Sequence, residues 1–209
     1  MKKIFQKEIT RRVLYERYDV EEERYVDNYC SKIGVVCFEQ EPHSRTVFLT
    51  GNENTIKRIH FPYFQFTLNY VVDEKKENPL IFVGQDGQGL KISCSTKPIE
   101  NMEEEVCLCP FESSYVICTP HNKNKNNVIY DRKGFKTLED LKNNVVSSYW
   151  GLNHYVRINK IKDLEKEKVL NFDWSGGRAK TSIKKVLNAY YDINFLTKVE
   201  DKDVFLKDA

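Results

Sequence analysis

Three of the chain's six cysteines fall close together, at Cys107, Cys109 and Cys118, and His121 follows three residues after the last. Thiols near an imidazole support two chemistries. A thiolate attacks carbonyls and carries acyl groups, and thiolates with imidazole hold zinc. Asn101 stands six residues before Cys107, and its side-chain amide is the kind of donor a developing oxyanion needs. Cys107 is therefore the candidate acyl-accepting nucleophile, with Asn101 as its oxyanion donor. Glu103, Glu104 and Glu105 lie between them. Their negative charge disfavours the thiolate, holding the thiol above its reference pKa of about 8.5. A carrier receiving an already activated thioester tolerates that, whereas a protease-like nucleophile does not.

Two other readings use the same residues. Cys107, Cys109, Cys118 and His121 have the types required by a tetrahedral zinc site, although Cys-x-Cys is less usual than the Cys-x-x-Cys knuckle. Alternatively, Cys107 and Cys109 point to one face of a buried strand, with Val106 and Leu108 on the other, since free cysteine is among the most buried residue types. No cofactor is otherwise implied. Zinc is the one metal the spacing admits.

The surroundings are polarised. Pro98 to Cys118 carries five Glu and no Lys or Arg, while Asn122 to Lys136 carries five basic residues against Asp131. Two such loops suit either solvent or a charged protein partner, with Glu103, Glu104 and Glu105 as candidate contacts. Tyr149, Trp150 and His154 form a second candidate binding group near a predicted helix end, where aromatics more often serve packing.

The elements that position these residues are strands first and helices after. Ile4 to Ile9, Arg12 to Tyr18, Tyr29 to Phe38 and Arg45 to Thr50 have the aromatic and β-branched content of strands. Glu21 to Arg24 is compatible with a short helix. Phe64 to Val72 alternates apolar and polar residues with period two, the pattern of a half-buried strand. Leu80 to Val83 and Leu90 to Cys94 complete a meander. Thr137-Leu138-Glu139-Asp140 predicts a helix start, and Leu138, Leu141, Val145, Tyr149 and Leu152 share one face. Further helices are predicted over Lys160 to Val169 and from Thr181. The sequence thus predicts an α+β protein: an antiparallel β-meander, an irregular Cys-bearing loop and C-terminal helices. Its expected divisions are a β-rich segment 1–58, a core 59–155 and a helical segment 156–209, packed as one domain.

Composition narrows the function. The chain has 209 residues, 33 Lys plus Arg against 31 Asp plus Glu, and a net charge of +2. That balance makes nucleic acid an unlikely main partner, because backbone-gripping proteins carry a strong basic excess. No apolar run approaches the roughly 20 residues of a membrane-spanning helix. The N-terminus lacks the apolar core of a signal peptide, so a cytoplasmic protein with reduced thiols is expected. The sequence is silent on oligomeric state.

Four segments occur in a recognisable order: His60-Phe61-Pro62-Tyr63-Phe64, Pro98-Ile99-Glu100-Asn101, Val106-Cys107-Leu108 and Ser148-Tyr149-Trp150-Gly151-Leu152-Asn153-His154. This order resembles the prokaryotic relatives of ubiquitin-conjugating enzymes, especially the PRTRC-system protein B group, over Ile59 to His154. The resemblance implies a conjugating-enzyme-like fold, Cys107 as the acceptor cysteine and Asn101 as the family's asparagine. It also implies a small protein modifier carried as a thioester and a protein partner. The reading from another class is a non-catalytic interaction or structural protein of a phage or mobile element, which the Lys- and Asn-rich composition permits.

Overall fold

The structure, a computed structural model, describes residues 1–19, 24–50, 55–73, 79–83, 89–107, 109, 116–117, 134–151, 154–155 and 180–188. Its principal sheet is antiparallel and contains β1 (Lys2–Asp19), β2 (Arg24–Gln40), β5 (Tyr63–Asp73), β7 (Leu90–Ser95) and β9 (Val116–Ile117), in that order. The short β6 (Ile81–Val83) pairs with the end of β5 that β7 leaves free. β3 (His43–Thr50) and β4 (Thr55–Phe61) form an antiparallel hairpin, which β10 (His154–Tyr155) joins in parallel. β8 (Glu105–Val106) pairs with β11 (Thr181–Ser182). The described helices are α1 (Leu138–Trp150) and α2 (Ile183–Asn188). The architecture is α+β and β-rich, with strands from 1–58 and from 59–155 side by side in one sheet, joined where β2 pairs with β5.

β1 is a single strand where the sequence suggests two. Thr10 pairs with Lys32 and Val13 with Cys30, so Arg11 and Arg12 both oppose Ser31. That is a β-bulge, which bends a strand without ending it. β4 is an element the sequence reading passes over. Its alternation of Ile59 and Phe61 with Arg58 and His60 is short and charged. Arg24 opens a strand, and the rest of the Glu21 to Arg24 segment lies outside the described residues. The helix predicted over Lys160 to Val169 lies outside the described residues.

β5 organises the core. Phe64, Phe66, Leu68 and Tyr70 line one face with Val36, Phe38, Leu90, Ile92 and Cys94 from its neighbours. The β3–β4 hairpin and α1 cover that face through Val47, Ile59, Phe61, Leu141, Val145, Tyr149 and Trp150. α1 begins where expected, with the Thr137 hydroxyl accepting from the Asp140 amide at 3.1 Å. Glu139 and Asp140 sit in its first turn, where the helix dipole favours negative charge.

The half-buried expectation for β5 is corrected by its second face. Gln65, Thr67 and Asn69 are buried as completely as the aromatics opposite them. The residues 99–106 and α2 supply a second covering layer, in which Ile99, Met102, Val106, Ile183, Val186 and Leu187 pack with Phe5, Val35 and Cys37.

The contact between β2 and β5 is closest at Gly34, which pairs with Tyr70. A methyl group at Gly34 would lie 2.3 Å from the Tyr70 ring. The ring has little room to move, because its hydroxyl donates to Glu8 Oε2 at 2.7 Å and accepts from Gln6 Nε2 at 3.1 Å. Gly34→Ala is therefore expected to lower stability by about 2–3 kcal/mol, the upper range for overpacking a filled site. Urea unfolding followed by tryptophan fluorescence measures it, and an unchanged midpoint would contradict this packing.

Candidate functional site

Residues 97–107 form an ordered bracket against the sheet. Ser95 Oγ donates to the Lys97 carbonyl at 2.7 Å, and the Ile99 amide donates to Glu39 Oε2 at 3.0 Å. The chain then turns at Asn101, whose Oδ1 accepts from the Glu103 amide at 2.9 Å while its Nδ2 donates to Glu104 Oε1 at 3.0 Å. Such a turn is what an asparagine makes with its own backbone. Both ends of the Asn101 amide serve this exposed turn.

Cys107 comes out of the turn as a strand partner. Its amide donates to the Cys94 carbonyl at 2.8 Å and its carbonyl accepts from the Cys94 amide at 2.9 Å. The Cys107 Sγ also donates to the Cys94 carbonyl at 3.3 Å. Its residue exposure is 5% and that of Cys109 is 0%, and both pack in the aromatic-rich cluster. Val106 packs in the opposite cluster beneath α2. This is the arrangement of the buried-strand reading for Cys107, Cys109 and Val106. Leu108 lies outside the described residues. The expectation of an accessible Cys107 on an irregular loop is corrected: backbone pairing with β7 turns its side chain inward.

The three glutamates differ in use. Glu103 is exposed, Glu104 is half-buried against Asn101, and Glu105 pairs with Lys180 at 2.9 Å. That last pair is solvent-exposed on both sides and contributes at most about 1 kcal/mol. The backbone ties are firmer. The Ile183 amide donates to the Glu104 carbonyl at 3.0 Å and the Lys184 amide to the Met102 carbonyl at 3.1 Å, so the acidic turn seats the start of α2.

Tyr149 and Trp150, candidate binding residues by sequence, belong to the core. Their ring centroids lie 5.1 Å apart, and Trp150 meets Phe61 at 4.9 Å and Phe64 at 5.1 Å. Arg45 stacks its guanidinium 4.9 Å from the Trp150 ring. His154 enters β10 opposite Leu49. Cys118 and His121 of the zinc reading lie outside the described residues. Among the described residues no group of His, Cys, Asp or Glu is arranged to hold a metal ion.

The sequence reading missed a row of buried polar groups beneath α2. Cys37, Thr67 and Lys91 are register neighbours across β2, β5 and β7, and so are Glu39, Gln65 and Ser93. Gln65 Nε2 donates to Glu39 Oε2 at 2.9 Å and to Ser95 Oγ at 2.7 Å, and Gln65 Oε1 accepts from Ser93 at 3.1 Å. Burial raises the Glu39 carboxyl, while its bonds from Gln65 and Ile99 work the other way. The Asn69 side chain, on a residue 3% exposed, has neither its Nδ2 nor its Oδ1 hydrogen-bonded among the described residues. The Lys91 ammonium donates to the Leu187 carbonyl at 3.4 Å. Burial pushes Lys91 down to about 8 and the Cys37 thiol up to about 12. A signal was present: Gln65, Thr67 and Asn69 are hydroxyl and amide residues, which bond within a protein, rather than the Lys and Glu of a solvated strand face.

No family model, curated protein or solved structure matches this chain. The likeness to conjugating enzymes thus rests on the order of sequence features alone.

Lys91 gives this region a pH signature. An unfolded lysine titrates near 10.5 and the folded one near 8. Between those values the unfolded chain binds the proton that the folded chain refuses, so Lys91's unfavourable contribution shrinks as pH rises, by up to ~1.4 kcal/mol per pH unit. Below pH 8 its full cost is present. Lys91→Met is expected to raise stability at pH 7 by roughly 1–3 kcal/mol. That advantage should narrow from pH 8 upward. Urea unfolding of both proteins at pH 7, 8 and 9 reads the difference, in which the titration of Cys37 cancels.

Proposed function

We propose that the protein is a non-catalytic interaction or structural module, keeping a conjugating-enzyme-like order of strands, loop and helix without carrying an acyl group. The observation that supports this reading is the state of the Cys107 sulfur, which is buried and bonded to the Cys94 carbonyl. Nucleophilic catalysis needs a thiolate that another molecule can reach. Asn101 supports the same reading. Its amide stabilises the 101–104 turn on the surface, whereas an oxyanion donor must aim at the reacting carbonyl. What the stretch does well is build: it bridges to β7 at Cys94, seats α2 and leaves Glu100 and Glu103 outward as part of a surface for a protein partner.

The test is acyl loading of the native protein. Wild type is incubated with a peptide thioester ending in Gly-Gly, and adducts are mapped by mass spectrometry under non-reducing conditions. No acyl adduct is expected on Cys107, and N-ethylmaleimide should label Cys107 only after urea unfolding. A native, Cys107-dependent thioester that Cys107→Ser converts to a stable ester would restore the carrier reading.

A further inference from the structure

Cys94 and Cys107 face each other where the 97–107 bracket returns to β7. They form an isolated antiparallel bridge in which the Cys107 amide donates to the Cys94 carbonyl at 2.8 Å and the Cys94 amide donates back at 2.9 Å. A residue pair that exchanges both backbone bonds holds its Cα atoms about 5.5 Å apart. That is close to the commonest Cα separation across a disulfide. Residues directly opposite on antiparallel strands also send their side chains to the same face. Here both side chains enter the aromatic cluster, and the Cys107 Sγ leans toward β7 to donate to the Cys94 carbonyl at 3.3 Å. Cys109 shares that cluster. A position two residues past the direct partner, however, lies roughly 7–8 Å from Cys94, at or beyond the reach of a disulfide.

We infer that Cys94 and Cys107 are an oxidation site, which hydrogen peroxide converts to a cross-strand disulfide clasping the bracket to β7. Cys107 is the attacking thiol, because its residue retains 5% exposure and Cys94 has none. Its sulfur attacks one peroxide oxygen, the O–O bond breaks, and the departing hydroxide takes the Cys107 proton as water. The Cys94 sulfur then attacks the Cys107 sulfenic acid. The S–O bond breaks, the S–S bond forms, and the hydroxyl leaves with the Cys94 proton as a second water. Two electrons pass from the thiols to the peroxide. The surroundings favour a small neutral oxidant. Glu103 and Glu105 are exposed and Glu104 is half-buried just upstream of Cys107, so an anion such as glutathione disulfide is repelled where hydrogen peroxide is not.

The bond belongs to the reversible class. Opposed Cβ atoms at a directly facing pair lie about 4.5–5.5 Å apart, against about 3.8 Å across a disulfide, so closure draws the two segments together by about 1 Å. A disulfide formed under strain is the more easily reduced. The tightening reaches further than the pair itself. Glu105 and Val106 pair with β11, and the Met102 and Glu104 carbonyls hold the first amides of α2, so a clasp at Cys107 restrains the seat of that helix. The inference does not rest on the non-catalytic reading, since an acyl carrier would be switched off by the same bond.

Mass spectrometry of the full chain tests it. The protein is reduced, freed of reductant and treated with hydrogen peroxide in native buffer. It is then blocked with N-ethylmaleimide in urea and digested without reductant. The chain should lose the mass of two hydrogens, the peptides holding Cys94 and Cys107 should be joined, and dithiothreitol should reverse both changes. Cys94→Ala and Cys107→Ala should each abolish the link, and Cys109→Ala should leave it. The wild-type map decides even where a variant does not fold. In the oxidised protein the amides of Ile183 and Lys184 should exchange roughly tenfold more slowly, because a cross-link across a loop of this length restrains its opening. Thiols still reduced after treatment, a link made by Cys109 in place of either partner, Cys107 taken to sulfinic acid with Cys94 untouched, or exchange unchanged by oxidation would each overturn the inference.

Discussion

The structure depends on one strand being buried on both faces. β5 has Phe64, Phe66, Leu68 and Tyr70 on one side and Gln65, Thr67 and Asn69 on the other, and each side needs a different cover. The aromatic side is met by α1 and the β3–β4 hairpin, whose Phe61, Tyr149 and Trp150 interlock edge to face with it. The polar side is met by the 99–106 bracket and α2. An antiparallel sheet with one wet face would tolerate Gln65 and Thr67 at no cost. Burying them obliges each to find partners, because an unpaired polar atom in the interior costs about 1–3 kcal/mol.

That obligation explains why 97–107 is a fixed bracket. Glu39 accepts from both Gln65 and the Ile99 amide, so a carboxylate on β2 reads the position of a loop 60 residues later. Ser95 passes the same network to the Lys97 carbonyl. Bonds to a charged acceptor are stronger and more directional than neutral ones, which suits them to fixing one loop conformation. With Ile99 anchored and Asn101 closing its turn, Cys107 arrives in register with Cys94. Its side chain can then point only into the aromatic layer, because the residue before it, Val106, faces α2. The inward thiol is thus set by two polar contacts several residues upstream.

Much of this was legible in the residues. The N-cap at Thr137, the α1 face of Leu141, Val145 and Tyr149, the strand at β5 and the helix opening near Thr181 are all local signals, and the structure has them where the sequence places them. What failed was inference about cover. Period-two alternation is the same whether the polar face meets water or a second layer, so Gln65, Thr67, Asn69 and Lys91 read as solvent-facing. For Cys107 the local signals conflicted. Its acidic neighbours read as loop, yet pairing with Cys94, thirteen positions away, decides its orientation. Tyr149 and Trp150 presented the opposite error. Aromatic pairs at a helix end suit a binding platform or a core equally, and only the partners Phe61, Phe64 and Phe66 distinguish them.

The residue types that first suggest chemistry are consumed by architecture. The five described cysteines are buried, the Asn101 amide is spent on a turn, and the aromatic pair fills the core. Among the described residues, large apolar groups are left exposed at Met1 and in two hairpins, Leu14 with Tyr29 on β1–β2 and Phe48 with Ile56 on β3–β4. The two are not equivalent. β3 and β4 are backed along their inner face by Val47, Ile59 and Phe61, so the hairpin holds its shape whatever meets Phe48 and Ile56. Among the described residues the β1–β2 end has no such backing past Cys30, and its paired strands continue past Asp73, where the described part of β5 ends. Among the described residues that free end is held by its own two-stranded ladder alone, the kind of pairing that is marginal without a covering layer.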